Sequence, residues 1–138
     1  MNPNRHDWQS LLIGVPYRWF GRDRSGWDCF GLAEWTYQNV FDRICPPPAM
    51  PYPERPSTKD AQRALHSEVI ALSLGAWREA DKEIGAVCLF SIRNRPMHVG
   101  LYAGAGRFIH VMDDEATTWS WLHDREWKHR LAGFYLPA

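Results

Sequence analysis

The chain has no surplus of charge, no long apolar run and few cysteines. Sixteen Lys and Arg residues balance sixteen Asp and Glu residues over 138 positions, so the formal net charge is zero. A neutral chain has no positive field that attracts nucleic acid, and we therefore predict no nucleic-acid partner. No stretch approaches the roughly 18 consecutive apolar residues that cross a bilayer, so no membrane span is predicted.

The three cysteines are too scattered for a disulfide framework. Cys29, Cys45 and Cys88 are an odd number without a close pair, which leaves at least one free thiol in a monomer. The sequence also has no Cys-x-x-Cys pair of the kind that binds a metal ion. Segment 1–10 is polar and lacks the apolar core of a secretory signal. We expect the protein to stay in the cytoplasm or to leave by a route without a cleaved signal.

What is present is the composition of an ordinary globular protein. Hydrophobic residues make up 45% of the chain and charged residues 23%. The length is that of one domain, and we predict a single domain over residues 1–138. Six of the ten prolines fall within residues 45–56, a density that excludes a helix or a central strand. This Pro-rich segment is predicted to be an insertion within the domain.

The order of the periodic segments predicts an α+β fold. Apolar spacing predicts helices over 7–13, 28–41 and 57–74, the last one starting at a hydroxyl cap and ending at Gly75. Short β-like runs after position 85 predict five strands, at 87–90, 98–103, 107–112, 117–122 and 131–136. Residues 77–83 are polar and are assigned no element. N-terminal helices packed on a mostly antiparallel sheet are the expected architecture.

Cys29 is a candidate nucleophile because of its place in the chain. It follows Asp28 and opens the second predicted helix. The positive end of a helix favours a thiolate, and a thiolate beside a histidine attacks electrophiles at neutral pH. A cysteine before an apolar helix is equally explained as a small buried residue. The position alone leaves both interpretations open.

Two histidines are predicted to share one face of a hairpin. His98 and His110 lie in strands joined by the glycine-rich turn at 104–106. An odd number of loop residues pairs position 98 with 110 or 112, and either register puts both side chains on the same face. One imidazole can take and return a proton while the other holds it in orientation. A strand-end His98 and a core His110 are the structural alternatives.

The remaining histidines, and a zinc site as an alternative use of Cys29 and its histidines, have weaker support in the sequence. His66, His123 and His129 are predicted to lie on the surface. A Cys/His/His zinc site would use the same residue types, but separations of about 70 and 12 residues match no compact zinc motif. We therefore predict no zinc site.

Four segments resemble the NlpC family of papain-like cell-wall cysteine peptidases. They are Gly-Val-Pro-Tyr-Arg-Trp-Phe-Gly at 14–21, Asp-Cys-Phe-Gly-Leu at 28–32, His-Val-Gly-Leu-Tyr at 98–102 and Gly-Arg-Phe-Ile-His at 106–110. The resemblance covers residues 11–112 and implies a papain-like fold without metal or cofactor. It implies that Cys29 is the nucleophile, His98 the general base and His110 the orienting residue.

The resemblance also implies roles for residues around the nucleophile. Tyr17 matches a tyrosine beside the cysteine that helps to hold the oxyanion, and Asp28 matches an acid that shapes the loop. Phe30 stands where the family usually has a small residue, so it could narrow the cleft or change the choice of substrate. We expect an exposed Trp19, Trp27 and Phe30 to line the substrate groove, with core packing as the alternative for all three.

The implied activity is hydrolysis of peptide bonds in the stem peptide of bacterial peptidoglycan, often between D-γ-glutamyl and diaminopimelate residues. The 28–32 motif and the Pro-rich segment most resemble phage tail-associated members. That branch implies tail-tip partners, and a location in the host cytoplasm before assembly and in the virion tail afterwards. A structural tail-assembly protein with little hydrolysis and an injected antibacterial effector are the two alternatives.

Overall fold

The computed structural model describes residues 7–50 and 54–138. Within them the helices are α1 (Asp7–Ser10), α2 (Cys29–Asn39) and α3 (Lys59–Ser73), followed by a 3-10 turn at Leu74–Ala76. The strands are β1 (Arg22–Asp23), β2 (Gly26–Trp27), β3 (Trp77–Ala80), β4 (Val87–Ile92), β5 (Arg95–Gly104), β6 (Arg107–His110), β7 (Thr118–Trp121) and β8 (Leu131–Pro137). Positions 1–6 of the polar N-terminal segment and 51–53 of the Pro-rich segment lie outside the described residues.

Six of the strands form one antiparallel sheet in the order β3-β8-β4-β5-β6-β7. The short strands β1 and β2, which precede α2 in the sequence, pair with each other. The helices α2 and α3 both pack against β5. The predicted α+β class, with helices on a mostly antiparallel sheet, is confirmed. The described part of segment 45–56 has no helix or strand, as its prolines require.

Several elements differ from the sequence prediction, among them the short strands β1 and β2, which were not predicted. The strand β3 was not predicted, and it pairs with β8 at one edge of the sheet. An edge strand needs only a backbone partner, and its exposed side chains do not show the apolar alternation that marks a half-buried strand. The first helix is a single turn that ends at Ser10 rather than at position 13.

The sheet buries a different apolar cluster on each face. Side chains alternate along a strand, so Val99 and Leu101 of β5 pack with Cys29 and Leu32 of α2 on one face. The opposite face holds a second buried cluster, which contains Cys88, Phe90, Tyr102, Phe108 and Trp127. The alternation thus sends neighbouring residues of β5 to opposite sides of the sheet.

The start of α2 is held by a buried carboxylate. Asp28 accepts a hydrogen bond from the backbone N–H of Gly31 at 2.8 Å, which caps the helix. The guanidinium of Arg22 pairs with the same carboxylate at 2.8 Å. A Cβ at Gly31 would overlap the carbonyl oxygen of Gly21, so the loop and the helix approach each other only because residue 31 is glycine. Cys29 is therefore fixed as the first residue of α2.

Candidate active site

His98 and His110 meet on one face of the β5–β6 hairpin. The register pairs Leu101 with Ile109, and its continuation puts both histidines on the same face. Their rings are joined at 2.9 Å between Nε2 of His98 and Nδ1 of His110. The prediction of a shared face is confirmed, but the predicted odd loop is wrong. The turn has two residues, at 105–106, and a bulge at Ala103 restores the register that brings both histidines to one face.

The histidine pair is enclosed by aromatic rings. His98 stacks on Trp127 with ring centroids 5.4 Å apart, and His110 lies 4.5 Å from the ring of Phe108. Burial lowers the pKa of His98 well below its usual range, and the neighbouring His110 lowers it further. Burial also lowers the pKa of His110 to about 4. Both rings are therefore neutral at pH 7.

Acid is expected to destabilise the fold through this pair. An unfolded histidine binds its proton near pH 6.5, whereas His110 in the fold does so near 4. Between those values the unfolded chain holds more protons, so the free energy of unfolding falls as the pH falls. For His110 alone the loss reaches about 3 kcal/mol near pH 4, measurable by chemical denaturation across this range. A His110→Gln variant should lose less stability on acidification, and an unchanged pH dependence would contradict this account.

The sulfur of Cys29 lies against the backbone of β5. Its side chain is only 1% exposed. The backbone of Val99, the residue after His98, lies close enough to the sulfur to lower the pKa of the thiol, against the larger effect of burial. The thiol packs on the face of β5 that carries Val99 and Leu101, whereas the histidine pair lies with Phe108 and Trp127 on the opposite face. The imidazole that contacts the sulfur among the described residues belongs to His66, however.

His66 of α3 covers the thiol. Its Nε2 lies 3.5 Å and its Nδ1 4.0 Å from the sulfur of Cys29. The prediction that His66 lies on the surface is wrong, because α3 turns this side chain inward together with Val69 and Ile70. The four-residue spacing from His66 to Ile70 is the signal that could have placed it on the buried face. His123 and His129, which were also predicted to lie on the surface, are both exposed.

Two of the predicted groove aromatics stand beside His66. The ring centroids of Trp19 and Phe30 each lie 6.1 Å from that of His66. Both side chains are partly exposed. The indole and the phenyl ring therefore border the imidazole that covers the sulfur.

The thiol and the imidazole form a neutral pair in this conformation. Burial raises the pKa of the Cys29 thiol, and the Asp28 carboxylate raises it further. Burial lowers the pKa of His66. The expectation that the helix end favours a thiolate is wrong for this conformation, because the loss of solvation outweighs the field of the helix end.

A cleft of about 250 Å³ opens beside the site. It is lined by His66, His98 and Trp19 and by charged side chains of both signs, namely Lys59, Arg63, Arg130, Asp113 and Glu115. Because His66 lines the cleft and touches an almost fully covered sulfur, its ring separates the thiol from the cleft. A substrate that enters the cleft meets the imidazole before it meets the nucleophile.

Removing the His66 ring is expected to expose the thiol. In His66→Ala, alkylation of Cys29 by iodoacetamide should become about tenfold faster, a change equivalent to ~1.4 kcal/mol. Peptide mapping by mass spectrometry measures the rate at each cysteine. His129→Ala, which removes an exposed imidazole, serves as the matched control. Slower alkylation in His66→Ala would instead mean that His66 activates the thiol.

Tyr17 lies close enough to the thiol for their charges to interact. Burial is the main cause that raises the pKa of its hydroxyl, followed by the carboxylates of Asp113 and Asp28 and by Cys29. The guanidinium of Arg55 lies 5.4 Å above the Tyr17 ring. The hydroxyl therefore stays protonated and remains a hydrogen-bond donor at neutral pH.

Trp27 and Asp28 are enclosed rather than exposed to the cleft. The prediction of an exposed Trp27 is wrong, since the side chain is 0% exposed and its Nε1–H donates to Oγ1 of Thr117 at 2.9 Å. The indole ties the loop before α2 to the segment that leads into β7. Asp28 is also 0% exposed: its Oδ1 accepts from the cap N–H and from Arg22, and its Oδ2 accepts from the backbone N–H of Phe20. Its position fits the predicted role of shaping the loop.

Neither a metal centre nor a membrane helix is found in the part of the chain that the structure describes. Within residues 7–50 and 54–138, no three His, Cys, Asp or Glu side chains cluster in a way that could hold a metal ion. No helix within the same ranges has the length and apolarity that a bilayer crossing needs.

Comparison with known proteins identifies the family. The model of the NlpC/P60 family matches residues 14–135. The chain is 32% identical over 124 residues to a gamma-DL-glutamyl hydrolase of Bacillus subtilis, covering 88% of this chain and 26% of that protein. It is 26% identical over 124 residues to the murein DD-endopeptidase MepS/murein LD-carboxypeptidase of Escherichia coli K12, covering 90% and 54% of the two chains.

Solved structures share the fold. An NlpC/P60 family protein from Bacillus cereus superposes with a TM-score of 0.62 at 20% identity, over 97% of this chain and 40% of that one. The predicted papain-like fold is thereby confirmed. The chain spans between about a quarter and a half of the length of the two curated relatives. The match over residues 14–135 covers most of the sequence, and the chain belongs to the NlpC/P60 family.

Proposed function

We propose that this chain is a cysteine peptidase or amidase that hydrolyses peptide bonds of peptidoglycan stem peptides. The observation that carries the proposal is the hydrogen bond that joins His110 to His98 of β5, the strand against which Cys29 packs. Relatives named as a gamma-DL-glutamyl hydrolase and a murein endopeptidase support the choice of substrate.

We assign a role to each group of the proposed Cys-His-His triad. Nε2 of His98 is bonded to His110, so Nδ1 is the nitrogen left to accept the thiol proton. Once the His66 ring leaves the sulfur, Cys29 attacks the amide carbonyl and a tetrahedral adduct forms. His98 then protonates the leaving amine, and water hydrolyses the resulting thioester. His110 holds the His98 ring in orientation throughout.

We assign two hydrogen-bond donors near the sulfur to stabilise the oxyanion of the tetrahedral adduct. One is the backbone N–H of Cys29, which lies at the first residue of α2, where N–H groups have no partner within the helix. The other is the hydroxyl of Tyr17, which burial keeps protonated. Donors that are already in place stabilise the developing charge without reorganisation.

The cleft suits a peptide that carries charges of both signs. Its cationic side chains can pair with the free carboxylates of a stem peptide, and its acidic ones with an ammonium group, as in a diaminopimelate residue. We assign Trp19 and Phe30 to the apolar parts of the substrate.

A phage or prophage tail is the proposed setting of this activity. The support is the resemblance of the 28–32 motif and the Pro-rich segment to tail-associated members of the family. In this setting the protein is made in the host cytoplasm, joins tail-tip proteins and acts at the cell wall. Immunodetection in purified particles tests this. Its absence from particles would favour the injected effector, and its presence without hydrolysis would favour a structural tail protein.

The activity is tested by mass spectrometry of muropeptides after incubation with the purified protein. We expect stem peptides to be split at one bond, with a new amine on one product and a new carboxylate on the other. The masses of the products identify the bond. Muropeptides that are identical with and without the protein would contradict the proposal.

A further inference from the structure

The histidine pair continues into a third side chain. Ser120 lies on β7, opposite Phe108 of β6 in the register of the sheet. Its Oγ lies 2.8 Å from Nε2 of His110, whose Nδ1 lies 2.9 Å from Nε2 of His98. Side chains from β5, β6 and β7 thus form one continuous hydrogen-bonded row.

The strand directs Ser120 inward. Side chains alternate along β7, so Trp119 and Trp121 on either side of Ser120 turn to the other face and are exposed. Ser120 is left half-buried on the face that carries the histidines. Its hydroxyl oxygen can accept a hydrogen bond from His110 while its O–H points toward another acceptor or solvent.

A neutral imidazole has one donor and one acceptor. The hydrogen bonds of the row can therefore run in only two directions, from His98 toward Ser120 or from Ser120 toward His98. In the first, Nε2–H of His110 donates to Ser120, and Nδ1 of His110 accepts from Nε2–H of His98. In the second, the Ser120 hydroxyl donates to His110, and Nδ1–H of His110 donates to His98. The first direction leaves Nδ1 of His98 with a lone pair, whereas the second leaves it protonated.

Only the first direction allows His98 to act as a base. An Nδ1 that already carries a proton cannot accept one from the thiol of Cys29. The imidazolium formed by proton transfer must also donate from Nε2, and His110 can accept that bond only in the first direction. The direction of the row therefore decides whether the site can react.

We propose that Ser120 is a positioning residue that accepts the hydrogen bond from Nε2–H of His110 and so selects the reactive tautomer of His98. This role rests on the proposed function, in which His98 is the base. It gives the edge strand β7 a part in the site, although Ser120 touches neither the sulfur nor the substrate.

The tautomer can be read without any substrate. In protein labelled with ¹⁵N-histidine, two-bond proton–nitrogen correlations distinguish the two neutral forms of His110. We expect the Nε2–H form in the native protein, appearance of the Nδ1–H form in Ser120→Ala, and recovery of the native form in Ser120→Thr. The Nδ1–H form in the native protein, or no change in Ser120→Ala, would overturn the proposal.

Kinetics supply the second readout. Loss of one hydrogen bond of ordinary strength corresponds to about a tenfold lower kcat in Ser120→Ala, with KM unchanged. Ser120→Thr should restore kcat, and the exposed-site variant Ser57→Ala should match the native protein. An active protein whose kcat is unaffected by Ser120→Ala overturns the inference. A protein with the expected tautomer that cleaves no muropeptide instead refutes the proposed function.

Discussion

Cys29→Ala is expected to abolish muropeptide hydrolysis and to leave the fold intact. Loss of the nucleophile removes the covalent route, and in cysteine and serine hydrolases this costs about 10⁴-fold or more in kcat. The structural cost is small because only a sulfur atom is removed from a packed site, about 1 kcal/mol. Product release measured by mass spectrometry, together with thermal unfolding by circular dichroism, separates the two effects.

Cys45→Ala is the matched control for this variant. It makes the same substitution at another buried free thiol. The sulfur of Cys45 has a backbone carbonyl as its partner instead of an imidazole. We expect Cys45→Ala to retain full activity. Equal turnover by Cys29→Ala and the native protein would remove the covalent mechanism altogether.

His98→Gln is expected to lower kcat by about 10³-fold, because a general base contributes roughly 10²–10⁴-fold. Glutamine can still donate a hydrogen bond to His110, and it fills part of the space beside Trp127 that alanine would leave empty. The rate should therefore fall because the proton acceptor is lost, without collapse of the aromatic cluster. Steady-state kinetics on a purified muropeptide measures the change.

Two further variants make this result specific. His129→Gln makes the same substitution at an exposed position and should leave kcat unchanged. His66→Gln tests the other imidazole near the sulfur. If His98→Gln remained active while His66→Gln lost activity, the base would be His66, whose Nε2 is 3.5 Å from the sulfur in this conformation.

Much of the fold could be predicted from local patterns. Apolar spacing after Asp28 located α2, and short alternating runs located β4 to β8. These signals work because each depends on residues that are close in sequence. The edge strand β3 carries no such signal, since its order comes from backbone bonds to β8 about 60 residues later. The indole of Trp27 was misplaced for the same reason, because its partner Thr117 is 90 residues away.

In the site, too, some features could be predicted from local patterns and others could not. The shared face of His98 and His110 was predicted from the two-residue period of a strand and an odd loop. The structure reaches the same face through a two-residue turn and a bulge at Ala103, which local patterns did not predict. The contact of Cys29 with His66 joins residues 37 positions apart on different helices. The spacing of His66 and Ile70 could indicate a buried face of α3, but no local period indicates that this face meets Cys29.

Local spacing thus established the family motifs, the two helices and the sheet that carry them, and the shared face of two imidazoles. Long-range packing established which ring covers the sulfur, how deeply the thiol is buried and that Ser120 extends the histidine row. The charge state of Cys29 belongs to this second group. A helix end and a loss of solvation act on the thiol in opposite directions, and the burial that makes the second effect larger exists only in the folded chain.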